Sequence, residues 1–409
     1  MKNFDIIIAG GGMAGATAAL ALSQLPLNIA VIEPTEPELA TSPSFDQRAV
    51  ALSAASVAIF KTLDLWFKIK PLACAINDIH ISDQGHFGFV RLHAKDYNVE
   101  ALGQVIPLDQ TGPILWQAIR EKDNIELFCP SNIAKIDPLE SQKENNQISV
   151  CISERDQQQR LTAKLLLAAD GTFSSVAKMA SINTHRNTYN EHAIIANIST
   201  EIPHNNQAFE RFTKQGPLAL LPLTRNRMSL VWCRNEKNLQ KVMRYNDREF
   251  IEQLQNEFGY RLGQITNVGE RSEYPLALHM PDKTFNGRVL LLGNSAHTLH
   301  PIAGQGFNIG LRDIAALYDL IQQAQNRQQD IGSESLLKDY VKQRQPDWQQ
   351  IITATDSLVR LFSNDFLPLV FARNKGLCLL DKLPFVKERL TSVAMGFSGE
   401  SAKLTRGLR

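Results

Sequence analysis

Residues 4–9 (Phe-Asp-Ile-Ile-Ile-Ala) form a short, almost uninterrupted apolar run, the pattern of a strand buried on both faces. Gly10-Gly11-Gly12-Met13-Ala14-Gly15 comes next, and the small, helix-favouring residues Ala16 to Leu22 predict a helix. Asn28 to Ile32 predicts a second buried strand, closed by the acid Glu33. Thr35–Ser44, rich in Pro, Ser and Thr, reads as a loop, and the apolar spacing of Arg48–Trp66 reads as a helix. Residues 76–92 alternate apolar and polar around Gly85 and Gly88, which predicts antiparallel strands. A helix is expected over Thr111–Arg120 and a polar hairpin over Gln142–Arg160. Leu165–Ala168 reads as a buried strand running into Asp170-Gly171.

From residue 185 to 285 the pattern changes to short β-like segments (Ala193–Ile198, Leu218–Leu223, Met228–Cys233) with one helix near Asp247–Phe258, as in an inserted sheet domain. Arg288–Leu292 returns to the buried-strand pattern. It meets Gly293, a histidine-containing loop, and then Gly304-Gln305-Gly306-Phe307-Asn308-Ile309-Gly310, which opens a helix. The expected division is a discontinuous nucleotide-binding domain over 1–75, 100–178 and 286–340, a β-sheet domain over 76–99 and 179–285, and a helical region over 341–409.

Charge and cysteine content exclude several classes. With 43 Lys and Arg against 42 Asp and Glu, the 409-residue chain carries +1 and lacks the electrostatic footprint of a nucleic-acid binder. Five cysteines (Cys74, Cys129, Cys151, Cys233, Cys378) contain no C-x-x-C, which argues against a disulfide framework, a zinc ribbon and a dithiol redox centre, and fits a reducing cytoplasm. No window approaches the ~20 apolar residues of a membrane span. The opening Met1-Lys2-Asn3-Phe4-Asp5 is not a secretory signal pattern, so a cytoplasmic protein is expected.

Gly10, Gly12 and Gly15 fit G-x-G-x-x-G in its required context, after a strand and before a helix. The first glycine permits the tight turn, the second lets backbone N–H groups approach a pyrophosphate, and the third lets helix and strand pack closely. The helix start directs about half a positive charge toward that phosphate. Glu33 stands where an acid accepts hydrogen bonds from ribose hydroxyls. The motif alone does not separate NAD from FAD.

Ala169-Asp170-Gly171-Thr172-Phe173-Ser174, Gly293-Asn294-Ser295-Ala296-His297 and His300-Pro301-Ile302-Ala303-Gly304-Gln305-Gly306-Phe307-Asn308 resemble the signature of single-component FAD aromatic hydroxylases. Further segments are similar to ubiquinone-biosynthesis hydroxylases: Phe45-Asp46-Gln47-Arg48-Ala49-Val50-Ala51-Leu52, Ile81-Ser82-Asp83-Gln84-Gly85-His86, Ala101-Leu102-Gly103-Gln104-Val105 and Glu210-Arg211-Phe212-Thr213. So are Gly216-Pro217-Leu218-Ala219-Leu220-Leu221-Pro222 and Thr355-Asp356-Ser357-Leu358. The resemblance runs from Ile6 to about Gly376.

What the resemblance implies is an α/β chain with a Rossmann-like FAD-binding domain, an inserted mixed β-sheet substrate domain of aromatic-hydroxylase type, and C-terminal helices. It implies FAD as cofactor and NAD(P)H as a transient reductant, since the chain has only one dinucleotide turn. Gly10, Gly12, Gly15 and Glu33 would take the ADP half, and Arg48 the region of the phosphates, the lesser reading of Arg48 being a surface arginine capping a loop. Asp170-Gly171 would sit behind the cofactor, Gly293-Asn294 at the ribityl chain, and Gly304, Gln305, Gly306, Phe307 and Asn308 against the isoalloxazine.

The reaction implied is hydroxylation of a polyprenylated phenol, of the 2-octaprenyl-6-methoxyphenol type, by O2 through a flavin hydroperoxide in ubiquinone biosynthesis. The alternatives are a sister hydroxylation at another ring position and a non-catalytic flavin-holding subunit of a biosynthetic complex. Two residues depart from the wider pattern. Asn294 replaces an aspartate, keeping a carbonyl acceptor but losing charge, and Ala177 stands where an arginine is usual.

No catalytic base stands out. His86, His297 and His300, with the adjoining Pro301, are the candidates, and the spacing of His80, His86 and His93 matches no metal site. Phe212 and Trp232 line the substrate cavity or else serve as core. From Arg373 to Arg409 eight basic residues face three acidic ones, with an apolar run Phe366–Phe371 just upstream. That region reads either as a peripheral contact with the inner membrane or a partner, or as an ordinary basic helical face.

Overall fold

The computed structural model describes residues 1–36, 48–154, 157–298, 304–362, 366–396 and 402–407. Most of the expected Thr35–Ser44 loop, the segment Phe45–Gln47, and His300 with Pro301 lie outside the described residues.

Six strands lie beneath the glycine turn in the order Phe285–Asn286, Val289–Leu291, Leu165–Ala168, Ile6–Ala9, Ile29–Ile32 and Ile125–Phe128. All neighbours are parallel except the first pair. The pleat sorts each strand between two cores. Ile6, Ile8, Ile29, Val31, Leu165 and Leu167 pack with the helices Met13–Leu22, Leu108–Arg120 and Gln305–Asn326. Ile7, Ala9, Ala30, Ile32, Leu166 and Ala168 pack with a four-stranded sheet that includes Ile148–Glu154 and Gln157–Ala163. With both faces covered, the strands have to be apolar throughout, and each buried Ile or Leu contributes roughly 1.5–3 kcal/mol.

An eight-stranded sheet runs Ile265–Val268, Thr184–Thr200, Arg227–Asn235, Gly216–Leu223, Gln207–Thr213, Asp78–Asp83 and Phe89–His93, with Ser272–Pro281 paired to Thr184–Thr200. The early hairpin Asp78–His93 joins it by parallel pairing with Gln207–Thr213. One face buries Ile194, Leu218, Leu230 and Trp232 against the helices Glu236–Met243 and Asp247–Phe258. The other meets a three-stranded sheet (Ala49–Ser53, Gly103–Pro107, Cys74–Ile76) through Ala208, Leu221, Val105 and Ala51. Toward the sheet's end, that same face meets the C-terminal helices Glu334–Phe362 and Leu367–Lys382 through Phe212, Leu358, Phe362 and Leu377.

Those helices are pinned to the hairpin. Arg373 Nε and Asn374 Nδ2 each donate to Asp83 Oδ2 at 2.9 Å, and the Gly88 N–H donates to Asn374 Oδ1 at 2.8 Å. At the sheet's outer edge the Arg91 N–H donates to Asp381 Oδ1 at 2.9 Å.

Two expected elements differ. The helix expected over Arg48–Trp66 begins only at Ala54, because Ala49–Ser53 is a strand paired antiparallel with Gly103–Pro107, fifty residues away in the chain. Ser53 then caps the Ala54–Thr62 helix, its Oγ accepting from the Ser56 N–H at 3.3 Å. The polar hairpin expected over Gln142–Arg160 is present as the antiparallel strands Ile148–Glu154 and Gln157–Ala163, but it begins only after a helix, Leu139–Asn145, and its inward residues Ile148, Val150, Ile152 and Leu161 are fully buried.

Candidate active site

The glycine turn is closed by backbone contacts that exclude side chains. Gly10 has φ +97°, and a Cβ there would lie 2.5 Å from the Ala169 carbonyl oxygen. A Cβ on Gly15 would lie 1.9 Å from the Gly10 oxygen, so the helix start rests directly on the turn. The Met13–Leu22 helix begins at Gly12 with no side-chain cap and no acid in its first turn, leaving its positive end open. Glu33 braces the loop: its Oε2 accepts from the Gly11 N–H at 2.5 Å and its Oε1 from the Thr35 N–H at 3.1 Å. Burial pushes this carboxyl above its ordinary pKa, against the lowering effect of the two N–H groups. Each of its oxygens keeps a lone pair for another donor. Trp116 completes the support, its Nε1–H donating to the Gly11 oxygen at 2.8 Å.

The second and third glycine turns are fastened to the first. Asp170 Oδ2 accepts from the N–H groups of Ser175 (2.8 Å) and Val176 (3.2 Å), so this carboxylate anchors the start of the short helix Ser175–Met179. Ala177, where the resembled pattern has arginine, is buried in the core beside Val176. Ser295 Oγ donates to the Gly171 oxygen at 3.0 Å, tying the Asp170-Gly171 turn to Gly293–Ser295. Gly293 (φ +60°) has no room for a Cβ, which would stand 2.8 Å from the Ala14 side chain. Asn294 itself is exposed.

The helix Gln305–Asn326 starts at Gly304 (φ +59°), again with no side-chain cap and no acid in its first turn. Asn308 is the brace here rather than an open ligand. Its Nδ2 donates to the oxygens of Ala51 and Gly304, both at 2.8 Å, and its Oδ1 accepts from the Ser53 N–H and Ser56 Oγ–H, both at 2.7 Å. Gln305 is buried and Phe307 packs at the margin of the main core. A Cβ on Gly306 would meet nothing within 4 Å, so open space lies over this helix start. Gly310, in the second turn of this helix, lies against Gly293, which itself packs on Ala14 at the start of the Met13–Leu22 helix.

The remaining expected residues separate. The Arg48 guanidinium lies 4.7 Å from the ring centroid of Tyr274, on the Ser272–Pro281 strand. Phe212 is buried and stacked on Phe362 at 3.7 Å, on the sheet face turned toward the three-stranded sheet. Trp232 corrects its expectation as a cavity residue: it is fully buried on the opposite, helix-covered face, its Nε1–H donating to Glu257 Oε2 at 3.1 Å. Period-two alternation along Arg227–Asn235 decides that side, and composition carries no trace of it.

Of the histidines, His86 is exposed in the hairpin turn. His297 is buried against Trp348, its ring 4.5 Å away, and burial lowers its pKa. His80 is buried on the helix-covered face, where burial and nearby arginines lower its pKa to about 4. Trp116 and Ala51 were not legible as site residues, since each meets its glycine turn across a long stretch of chain.

The arrangement fits a flavin dinucleotide: a cradle with no room for side chains, two uncapped helix starts whose helices pack on the Gly293 turn, and a carboxylate at the end of the second strand. Comparison with known proteins agrees. A family model described as "FAD binding domain" matches residues 3–355. "Uncharacterized protein slr1300" of Synechocystis sp. is 33% identical over 407 residues, covering 99% of this chain and 96% of that protein. "Ubiquinone hydroxylase UbiL" of Rhodospirillum rubrum is 30% identical over 410 residues, covering 100% and 94%. The crystal structure of p-nitrophenol 4-monooxygenase PnpA from Pseudomonas putida has the same fold, with a TM-score of 0.78 at 17% identity over 96% of this chain and 97% of that one. By these matches, and by the glycine architecture that explains them, the chain belongs to the FAD binding domain family, that of the FAD-dependent aromatic monooxygenases.

Proposed function

We propose that this protein hydroxylates the ring of a polyprenylated phenol in ubiquinone biosynthesis, of the 2-octaprenyl-6-methoxyphenol type, using FAD, O2 and NAD(P)H. The observation that carries the reading is a pair of uncapped helix starts, at Gly12 and Gly304, whose helices both pack on the Gly293 turn, in a chain that aligns end to end with a ubiquinone hydroxylase. On this reading Gly10, Gly12 and Gly15 hold the pyrophosphate at the first helix start, Glu33 takes the ribose hydroxyls, and Arg48 lies toward the phosphates. Asp170 and Gly171 sit behind the cofactor, and Gly293 and Asn294 border the ribityl chain. The helix start at Gly304–Asn308 stabilises negative charge on the reduced ring. Bound FAD supplies the two-electron reduction and the activation of oxygen, and the protein orients the phenol and excludes water.

A substrate of this kind resides in lipid. Among the described residues no helix is long and apolar enough to cross a membrane. The helices Leu367–Lys382 and Pro384–Ala394 instead expose Phe371, Leu379, Phe385 (76%) and Val386, with Phe366 (67%) just before them, beside Lys375 and Lys382. We read this surface as a peripheral contact with an anionic bilayer, each basic group near the surface adding about 1 kcal/mol.

Purified protein reconstituted with FAD, supplied with NADPH and a geranylated 2-methoxyphenol, is expected to consume O2 and form a product heavier by one oxygen atom. Flavin retention without oxygenated product would refute the reading. Flotation with phosphatidylglycerol vesicles, lost in a Phe371→Ser/Phe385→Ser variant, tests the surface.

A further inference from the structure

Strand Gln207–Thr213 shows its two faces to different surroundings. Phe209 meets Phe258 edge-on at 5.3 Å, and Arg211 Nε donates to the Glu257 oxygen at 2.8 Å, both on the helix-covered side. Ala208 and Phe212 lie on the other side. The uninterrupted register with both neighbouring strands therefore places Glu210 on that second side, between them. This is the side that reaches the flavin cradle: Ala208 shares a cluster with Ala51, and Ala51 accepts from Asn308 and lies 3.4 Å from where a Cβ on Gly304 would stand.

Glu210 sits in an apolar row. Its cross-strand neighbours are Ile81 and Ala219, followed by Val231 and Ile195. It makes no hydrogen bond or ion pair among the described residues, and it is partly accessible rather than fully buried. Burial alone raises its pKa from 4.5 to about 7. Among the histidines placed above, His86 is exposed, His80 is on the far face and His297 is packed against Trp348.

Resting on the phenol reading above, we propose that Glu210 is the proton acceptor for the substrate. The phenol O–H bond breaks, the proton passes to a Glu210 carboxylate oxygen, and the electron pair left on the phenolic oxygen enriches the ring for hydroxylation. Return of that proton to the product's oxygen regenerates the carboxylate. The ionisable groups facing Glu210 are few. Cys233 on the Arg227–Asn235 strand interacts electrostatically with Glu210 and, farther along, with Glu191 on the Thr184–Thr200 strand, and the Asp83–Arg373 pair lies beyond Phe212. The Gly216–Leu223 strand has none. The three-stranded sheet presents Ala49, Ala51 and Val105, and the Glu334–Phe362 helix presents Leu358, Leu361 and Phe362.

The test is the affinity of the FAD-loaded protein for geranylated 2-methoxyphenol, read from the flavin absorbance change between about pH 5.5 and about pH 8.5, for wild type, Glu210→Gln and Glu210→Asp. Wild-type affinity is expected to rise about tenfold through neutral pH, the gain of a charge-assisted over a neutral hydrogen bond. Glu210→Gln should be flat, with turnover lower by about 100-fold or more and unchanged FAD affinity. Glu210→Asp, as a second variant, should keep a pH-dependent rise. The same pH curve in Glu210→Gln as in wild type, or turnover within about threefold of it, would overturn the assignment while leaving the phenol reading intact. Failure of the wild type to bind the phenol would overturn both.

Discussion

Glu210→Gln also has a consequence for stability that is independent of catalysis. A carboxyl whose native pKa is raised penalises the folded state once it ionises. The penalty is absent below the ordinary pKa of 4.5, grows as pH rises, and is complete above about 7. The interval between those values, at 1.36 kcal/mol per pH unit, sets the penalty at about 3 kcal/mol. Glutamine has nearly the same shape and never ionises, so the variant should gain about 3 kcal/mol relative to wild type between pH 4.5 and pH 8. Whatever constant cost the amide carries cancels between the two pH values. For a chain of 409 residues this is a relative shift in Tm of about 3–4 °C, taking about 2.1 cal/mol/K of unfolding entropy per residue. Differential scanning calorimetry of the two FAD-loaded proteins at both pH values measures it. Parallel Tm values across the range would refute the claim that Glu210 is desolvated and unpaired.

Three further outcomes follow from contacts described above. Asp83→Ala leaves the buried Arg373 guanidinium without its carboxylate and should destabilise the protein by about 3–5 kcal/mol in urea unfolding; a loss below about 1 kcal/mol would contradict it. Gly15→Ala drives a Cβ into the Gly10 oxygen and should abolish FAD retention on gel filtration, even in protein that still shows native circular dichroism. Trp116→Phe keeps the ring but removes the hydrogen bond to the Gly11 oxygen, and should weaken FAD affinity about tenfold by flavin fluorescence titration, the equivalent of ~1.4 kcal/mol.

Much of the fold was legible because fully covered parallel strands leave a continuous apolar record, as in Ile6–Ala9, Ile29–Ile32 and Leu165–Ala168. The glycine turn was legible because its geometry tolerates no side chain at Gly10 or Gly15. What escaped was decided at long range. Ala49–Ser53 has the composition of a helix start, and only its pairing with Gly103–Pro107 makes it a strand. Trp232 and Glu210 differ by which side of one sheet they occupy, a matter of register that a single sequence leaves open. Asn308 looked like a cofactor ligand because it sits in the glycine-rich run, whereas four partners from separate segments occupy its amide.

The attachment of the Leu367–Lys382 helix to the outermost strand has a practical consequence. Asp381 occupies the Arg91 amide on a strand that has no strand neighbour on its far side among the described residues, while Phe362 shields Phe212. A fragment cut after residue 355, where the family match ends, would lose both covers at once. It would present open backbone donors and acceptors beside a bare aromatic ring, the conditions under which chains add to one another edge to edge. Shortened versions should therefore be expected to precipitate before they can be assayed.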